Sequence, residues 1–403
     1  MGLVLIYNAK VVPVSAAPIA DGAVLVDGGR IAAVGRHLGA PDGTETLDAR
    51  GMVLTPGLID AHTHVGTAEE NSTYGLYDYN EKTNPLTPAL RIADAIYPRE
   101  KNIALARDKG GVTCAQTLPG SSNVLCGSGA VIKLKDAATV DEMLVRSPSC
   151  MKAALGENPI RIYKGNGNRT PTTRMGNAYL LRKALQDARD YADKKRSRAA
   201  QEPFSADLDM EALLPVLERK IKLSVHAHRS DDICTAVRIA EEFGLDFTIE
   251  HCTEGKYIAD YLAQHGVKAA FGPTFGVNSK PETRNKDWET LLALARAGVH
   301  TCIITDHPAI PLYGLTMAAA WASREGLSDA QALRCITLSA AEHLGLDGRI
   351  GSIEPGKDAD LVLWSGDPLD VRSRPMMVMI DGKTEHSEIQ CARTTDCARA
   401  HTA

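Results

Sequence analysis

Two hydrophobic rhythms divide this chain. At its start, segments 3–14 and 23–34 carry alternating or continuous apolar residues, many of them β-branched, punctuated by Pro, Gly and Asp and including Asp27-Gly28-Gly29. That pattern predicts short antiparallel strands. The same signature returns at residues 361–364 and 376–380, the second followed by the hairpin-type pair Asp381-Gly382. Strand-rich segments at both ends predict one small β-sandwich assembled from residues 1–56 and 349–388.

The middle, residues 57–348, behaves differently. Apolar β-branched runs at 112–117, 223–228, 247–251, 267–271 and 301–305 alternate with helical periodicity. In 231–243, Ile233, Val237, Ala240 and Phe243 form one stripe, with Asp231 as a cap and Gly244 as the stop. Residues 287–297 repeat the design, with Leu291, Leu292 and Ala295 facing inward and Gly298 after them. Such alternation predicts an α/β unit around a parallel sheet, open or closed. Residues 166–219 interrupt it with a polar stretch at 167–174 and a helix at 176–199. The basic run at 194–198 that ends this helix reads as a solvated face. The polar residues 389–403 read as a disordered tail.

Composition narrows the function classes. With 403 residues and 44% hydrophobic content, the chain can bury one large unit and a small second one. A net charge of −5 argues against a general binder of nucleic acid or anionic membranes. Nine cysteines, an odd number without a Cys-x-x-Cys pair, fit reduced thiols in a cytoplasmic protein better than a disulfide framework. Residues 1–10 lack the basic-then-apolar design of a signal peptide. No run approaches the roughly 20 apolar residues that span a bilayer. The expectation is a soluble, cytoplasmic protein.

The chemistry-bearing residues sit at strand ends. In Leu58-Ile59-Asp60-Ala61-His62-Thr63-His64, an apolar strand ends in two histidines two positions apart. Strand periodicity puts both imidazoles on one face, at the carboxyl end where parallel barrels carry their sites. Ser224-Val225-His226-Ala227-His228 repeats the arrangement, and either histidine could be the ligand. A third strand ends in His251, and a fourth in Asp306, followed by His307. One such histidine is more often a packed core or surface residue. Four separate strands ending this way point instead to a divalent cation, with zinc suited to the imidazoles.

These motifs resemble the amidohydrolase superfamily, in its imidazolonepropionase/prolidase-like branch of metal-dependent hydrolases. Residues 56–64 are similar to the family's first-strand motif. Residues 351–362, Gly-Ser-Ile-Glu-Pro-Gly-Lys-Asp-Ala-Asp-Leu-Val, resemble its return into the β-sandwich. The resemblance runs from Val4 to Lys383. It implies a (β/α)₈ TIM barrel over residues 57–348 and a homo-oligomer. It also implies zinc or a similar divalent cation, one or two per chain. His62 and His64 would bind the first metal, His226 and His251 the second. Asp306 would both ligate metal and take a proton from the attacking water. His228 would contact substrate or support the ligands, and His307 would do likewise or simply pack. A bridging ligand, either glutamate or carboxylated lysine, is expected from residues 151–159. Glu157, at the turn that ends an apolar run, is preferred over Lys152, which lies deeper, and over Lys164.

The reaction this implies is hydrolysis of a C–N bond in a small amide, dipeptide, N-acyl amino acid or cyclic amide. A bound dication lowers the pKa of water from about 15.7 toward 7, and Asp306 would shuttle the proton to the leaving nitrogen. Arg229, Arg169 and Arg174 are candidates to hold a substrate carboxylate, because the guanidinium fork matches it. Gly120-Ser121-Ser122-Asn123 is a candidate loop at the same rim. A mononuclear deaminase is the alternative. It would place an acid three positions after the strand-five histidine, where this chain has Arg229. A non-catalytic scaffold would be expected to lose ligands, and all five are present. The loops 69–98 and 166–174, which would set specificity, match no substrate motif.

Overall fold

The computed structural model describes residues 2–68, 77–165, 167, 169–197, 205–275, 280–389 and 392–393. The amino-terminal strands are β1 (Val4–Val11), β2 (Ile19–Asp27), β3 (Arg30–Arg36), β4 (Glu45–Asp48) and β5 (Val53–Pro56). The turn between β2 and β3 needs Gly28 and Gly29, whose φ angles of 55° and 85° lie in the left-handed region.

The central unit carries β6 (Leu58–Thr63), β7 (Val112–Thr117), β8 (Leu125–Ser128), β9 (Ala130–Lys133), β10 (Leu144–Arg146) and β11 (Cys150–Ala154). It continues with β12 (Lys222–Ala227), β13 (Phe247–His251), β14 (Lys268–Phe271) and β15 (His300–Ile303). The carboxyl-terminal strands are β16 (Leu361–Trp364), β17 (Pro375–Ile380), β18 (Lys383–Ser387) and β19 (Ala392–Arg393). Apart from Ala392 and Arg393, the expected tail beyond residue 389 lies outside the described residues.

The two ends of the chain join in one nine-stranded sheet, ordered β18-β17-β16-β5-β1-β2-β3, with β4 paired to β1 and β19 to β4. The seam is the antiparallel β5–β16 pair, with Leu54 opposite Leu363. Its core includes Ile6, Val24, Leu54, Leu361 and Met377.

In the centre, β11 to β15 are parallel neighbours in sequence order, as the hydrophobic runs predict. From its second residue on, β12 is buried on both faces because helices cover the sheet, so its sequence does not alternate. The strands divide into a six-stranded sheet, β15-β14-β13-β12-β11-β8, and a four-stranded one, β10-β9-β7-β6. The pairings of β8 with β11 and of β9 with β7 are antiparallel. This arrangement is more irregular than eight equivalent parallel strands. The carboxyl ends of the two sheets meet where the His64 N–H donates to the His307 carbonyl (2.9 Å) and the Asp306 N–H to that of His62 (3.2 Å).

The predicted helices form with small shifts: Ser230–Phe243, Glu289–Arg296 and Arg174–Ser197. Asp231 does not cap the first of these. The helix starts one residue earlier, the Ser230 N–H is held by Glu254 (2.9 Å), and Asp231 pairs with Arg229. Gly244 ends it at φ 65°, as expected. Cys114, Cys126, Cys150, Cys234, Cys252, Cys302 and Cys335 are all free. Among the described residues, no helix is long and apolar enough to cross a membrane.

A buried ionic cluster ties the central unit to the terminal sheet. Lys133 of β9, 2% exposed, reaches Asp358 (2.9 Å), Asp360 (3.0 Å) and Asp381. Removing the ammonium leaves these carboxylates together with most of their compensation gone. Lys133→Met is expected to lower stability by about 3–5 kcal/mol in denaturant unfolding. A loss under about 1 kcal/mol would show that the cluster contributes little.

Candidate metal centre and active site

His62 leaves β6 with its ring oriented from behind. Its Nδ1–H donates to Glu250 Oε2 at 2.8 Å, so the Nε2 lone pair faces the other way. That Nε2 lies 3.1 Å from Lys152 Nζ and 3.4 Å from Asp306 Oδ1. His64 is oriented by the Leu118 carbonyl, which accepts from Nδ1 at 2.7 Å, and its Nε2 is also 3.4 Å from Asp306 Oδ1. His251 donates Nδ1–H to the Gly272 carbonyl (2.7 Å), and its buried Nε2 has no partner. His226 Nε2 lies 3.4 Å from the Asn158 amide nitrogen and 3.9 Å from Glu282 Oε1.

Ring nitrogens of His226, His228 and His251 lie within 4.8 Å of one another, and so do donor atoms of His62, His251 and Asp306. Burying lone pairs without partners is costly, so this convergence fits a cation. Three non-glycine residues here, His251, Cys252 and Asp306, have φ of 73°, 50° and 52°. Such backbone strain is characteristic of functional sites.

Two acids to which the sequence pattern assigns no role organise the cluster. Asp60 Oδ1 accepts from the His62 N–H (3.0 Å), while Oδ2 accepts from the Thr305 N–H (2.9 Å) and hydroxyl (2.6 Å). Glu250 accepts from Ser224 and Thr248 hydroxyls, both at 2.8 Å, besides His62. The signal for Glu250 was its position one residue before His251. Side chains alternate along a strand, so it points away from that histidine, toward His62.

Of the residues expected to offer a bridging ligand, Lys152 is the one that lines the cavity. Lys152 of β11, fully buried, lines the same cavity as the histidines, and a lysine inside an apolar strand was itself a signal. Glu157 does not line it. It opens the helix Glu157–Gly165, its N–H donating to Glu282 (2.8 Å) and its carboxylate accepting from the Glu282 N–H (3.3 Å). Lys164 is exposed at the end of that helix. The depth that seemed to rule out Lys152 is where the histidines converge.

The cavity holds about 360 Å³. His62, His64, Lys152, His226, His251 and Asp306 line it, with Tyr77, Tyr79, Asn80, Ser121 and Lys280 higher on its walls. Tyr79 stacks on His64, with ring centroids 4.2 Å apart. His228 packs behind, 4.7 Å from both the His226 and His251 rings, with Nδ1 at 2.7 Å from the Thr253 hydroxyl. His307 is buried, and its Nδ1 accepts from the Leu312 N–H (3.3 Å), a packing arrangement. The arginines are engaged elsewhere. Arg229 is partly buried and paired with Asp231, Arg174 binds Asp232 (2.9 Å), and Arg169 is exposed. A larger hollow of about 560 Å³ near His300 and Arg334 has those groups paired to Glu342.

Burial dominates the electrostatics. It holds His226 and His228 well below the usual imidazole range, takes His251 down to about 3 and His307 to about 4, and lowers Lys152. Burial also acts to raise Asp306, but the imidazoles of His62 and His64 beside it hold it well below the usual carboxylate range. Neutral imidazoles at His64, His226 and His251, an ionised Asp306 and an amine at Lys152 shifted toward its neutral form are the ligand forms a dication requires. His62, against the effect of burial, is shifted upward by the Asp306 and Glu250 carboxylates beside it.

The Amidohydrolase family model matches residues 124–390. A crystal structure of an amidohydrolase from Thermotoga maritima MSB8 is 41% identical and superposes with a TM-score of 0.93, covering 96% of this chain and 100% of that one. Amidohydrolase tasK of Hapsidospora irregularis is 29% identical over 394 residues, 91% of this chain but 40% of that protein. This chain therefore spans less than half of that relative's length. An allantoinase of Salmonella newport (strain SL254) is 24% identical over 416 residues, 90% of this chain and 86% of that one.

The buried imidazoles make the metal-free fold acid-sensitive. As pH falls from about 6.5 to about 4, unfolded histidines gain protons that folded His251, His307, His226 and His228 refuse, so stability falls with pH. Asp60, raised to about 6 by burial, and His62, raised against the effect of burial by the Asp306 and Glu250 carboxylates beside it, act the other way. His64, lowered by burial, adds to the four. Chelator-treated protein is expected to lose on the order of several kcal/mol between about pH 7.5 and about pH 5 in urea unfolding. Equal midpoints would refute it.

Proposed function

The chain belongs to the amidohydrolase family, and on that premise we propose that it hydrolyses the C–N bond of a small amide at a centre of one or two divalent cations, zinc or similar. Membership makes it a hydrolase acting on C–N bonds; the metal count, the roles of the residues and the substrate are this reading's own. The observation that carries it is the convergence of His62, His64, Lys152, His226, His251 and Asp306 on one cavity, with the histidine lone pairs turned inward by outer partners. We read the two central sheets as halves of a (β/α)₈ barrel. The bonds between the ends of β6 and β15, and the short link from β8 to β9 through Gly129, support this.

His62, His64 and Asp306 would hold one cation and His226 and His251 a second. Lys152, in carboxylated form, would bridge them in place of Glu157. A dication in this site supplies Lewis acidity, polarising a carbonyl and acidifying water toward pH 7. Asp306, beside His62 and His64, would accept the proton of the attacking water and pass it on to the leaving nitrogen. Asp60 holds the backbones of His62 and Thr305 together, which keeps Asp306 at a fixed distance from both first-strand histidines. His228, behind His226 and His251, keeps their rings in place. Arg229, at the position where a deaminase would carry an acid, is paired to Asp231 and does not line the cavity, which favours the amide reading.

Elemental analysis of protein purified without chelator is expected to find about two dications per chain, falling to about one in Lys152→Met. Absence of bound metal, even after adding it back, would sink the proposal. Asp306→Asn is expected to lower kcat by about 10²–10⁴ on whichever N-acyl amino acid or dipeptide of a panel is cleaved. An unchanged kcat would remove Asp306 from the proton path.

A further inference from the structure

The cavity walls carry two lysines. Lys152 lies on the floor beside His62, committed to the cluster. Lys280 lies higher, on the segment after β14, partly buried, with a side chain 23% exposed. Among the described residues its ammonium makes no hydrogen bond, and its one acidic neighbour, Glu282 Oε1, is 3.7 Å away, beyond hydrogen-bonding distance.

Its backbone is firmly held. Pro281 follows it, and the Lys280 carbonyl accepts from both the N–H (3.1 Å) and the hydroxyl (2.8 Å) of Thr283. The reciprocal bonds between Glu157 and Glu282 then tie this segment to the loop after β11. That brace is the place Glu157 takes in the structure. Arg229 and Arg174, the expected carboxylate readers, spend their guanidinium groups on Asp231 and Asp232 and do not line the cavity.

We infer that Lys280 is the specificity-determining residue of the site and binds a carboxylate on the substrate, which is therefore an N-acyl amino acid or dipeptide-like amide. The inference rests on the metal-centred reading above. An ammonium with no hydrogen-bond acceptor among the described residues, on a backbone held by Thr283 and lining the same cavity as the histidines, is placed to hold an anion. Glu282 partly offsets its charge, which suits a singly charged carboxylate better than a doubly charged phosphate. Across the cavity, Tyr77 and Tyr79, with ring centroids 5.4 Å apart, together with Pro308 and Ala309, offer an apolar wall for the substrate's side chain.

The test needs no natural substrate. Zinc-loaded protein is titrated calorimetrically with succinyl, glutaryl and adipoyl monohydroxamates, whose heads bind the metal, and with the same compounds ending in a carboxamide. At one chain length the carboxylate is expected to bind about tenfold tighter than its carboxamide. Lys280→Met is expected to abolish the preference while leaving zinc content and carboxamide affinity unchanged, and Lys280→Arg to keep it. Equal affinity of both tails in the wild type, or a preference that survives in Lys280→Met, overturns the assignment to Lys280 and leaves the metal reading standing. Binding of neither hydroxamate to zinc-loaded protein overturns the metal reading itself.

Discussion

The carboxylate of Asp60 bears the constraint on which the site depends. It is fully buried, and its oxygens bond the His62 N–H on one strand and the Thr305 N–H and hydroxyl at the end of another. Together with the backbone bonds from Asp306 to His62 and from His64 to His307, it joins the edges of the two central sheets. With it, Asp306 Oδ1 stands 3.4 Å from both His62 and His64. Burial makes ionising such an acid costly and raises its pKa to about 6. The fold tolerates that cost because one side chain joins the two strands at the point where the donors must meet.

The remaining donors follow the same logic. An imidazole offers one lone pair, and which nitrogen carries it depends on what the other nitrogen binds. Glu250, the Leu118 carbonyl and the Gly272 carbonyl take the Nδ1 protons of His62, His64 and His251. Each thereby turns Nε2 into the cavity. These partners come from different strands, so the cluster is only as ordered as the sheets around it. The left-handed backbones of His251 and Asp306 are the local cost of turning their side chains inward at strand ends.

Farther out, two devices hold the rim and the base. Lys133 gathers Asp358, Asp360 and Asp381 beneath the central unit and anchors the terminal sheet to it. At the rim, the Glu157–Glu282 brace joins the loops after β11 and β14, the second of which carries Lys280. Both ties run between elements on which the cavity-lining residues depend, so they support the site from outside it.

The sequence by itself determined the strand ends that carry His62, His64, His226, His251 and Asp306. A two-residue side-chain period and a run of β-branched residues are local facts, and the tertiary structure leaves them in place. It also determined that both ends of the chain form strands, and the helix stop at Gly244. What it could not decide were questions of depth and of partner. Lys152 and Glu157 are five positions apart in one segment, and only the packing of β11 beside β12 puts the lysine among the histidines and the glutamate at the rim. The arginines looked free because their acids, Asp231 and Asp232, had no assigned direction until the helix placed them. Glu250 and Asp60 went unread for the same reason: a buried carboxylate's role depends on what lies across the sheet, and distances across a sheet are absent from the order of residues along the chain.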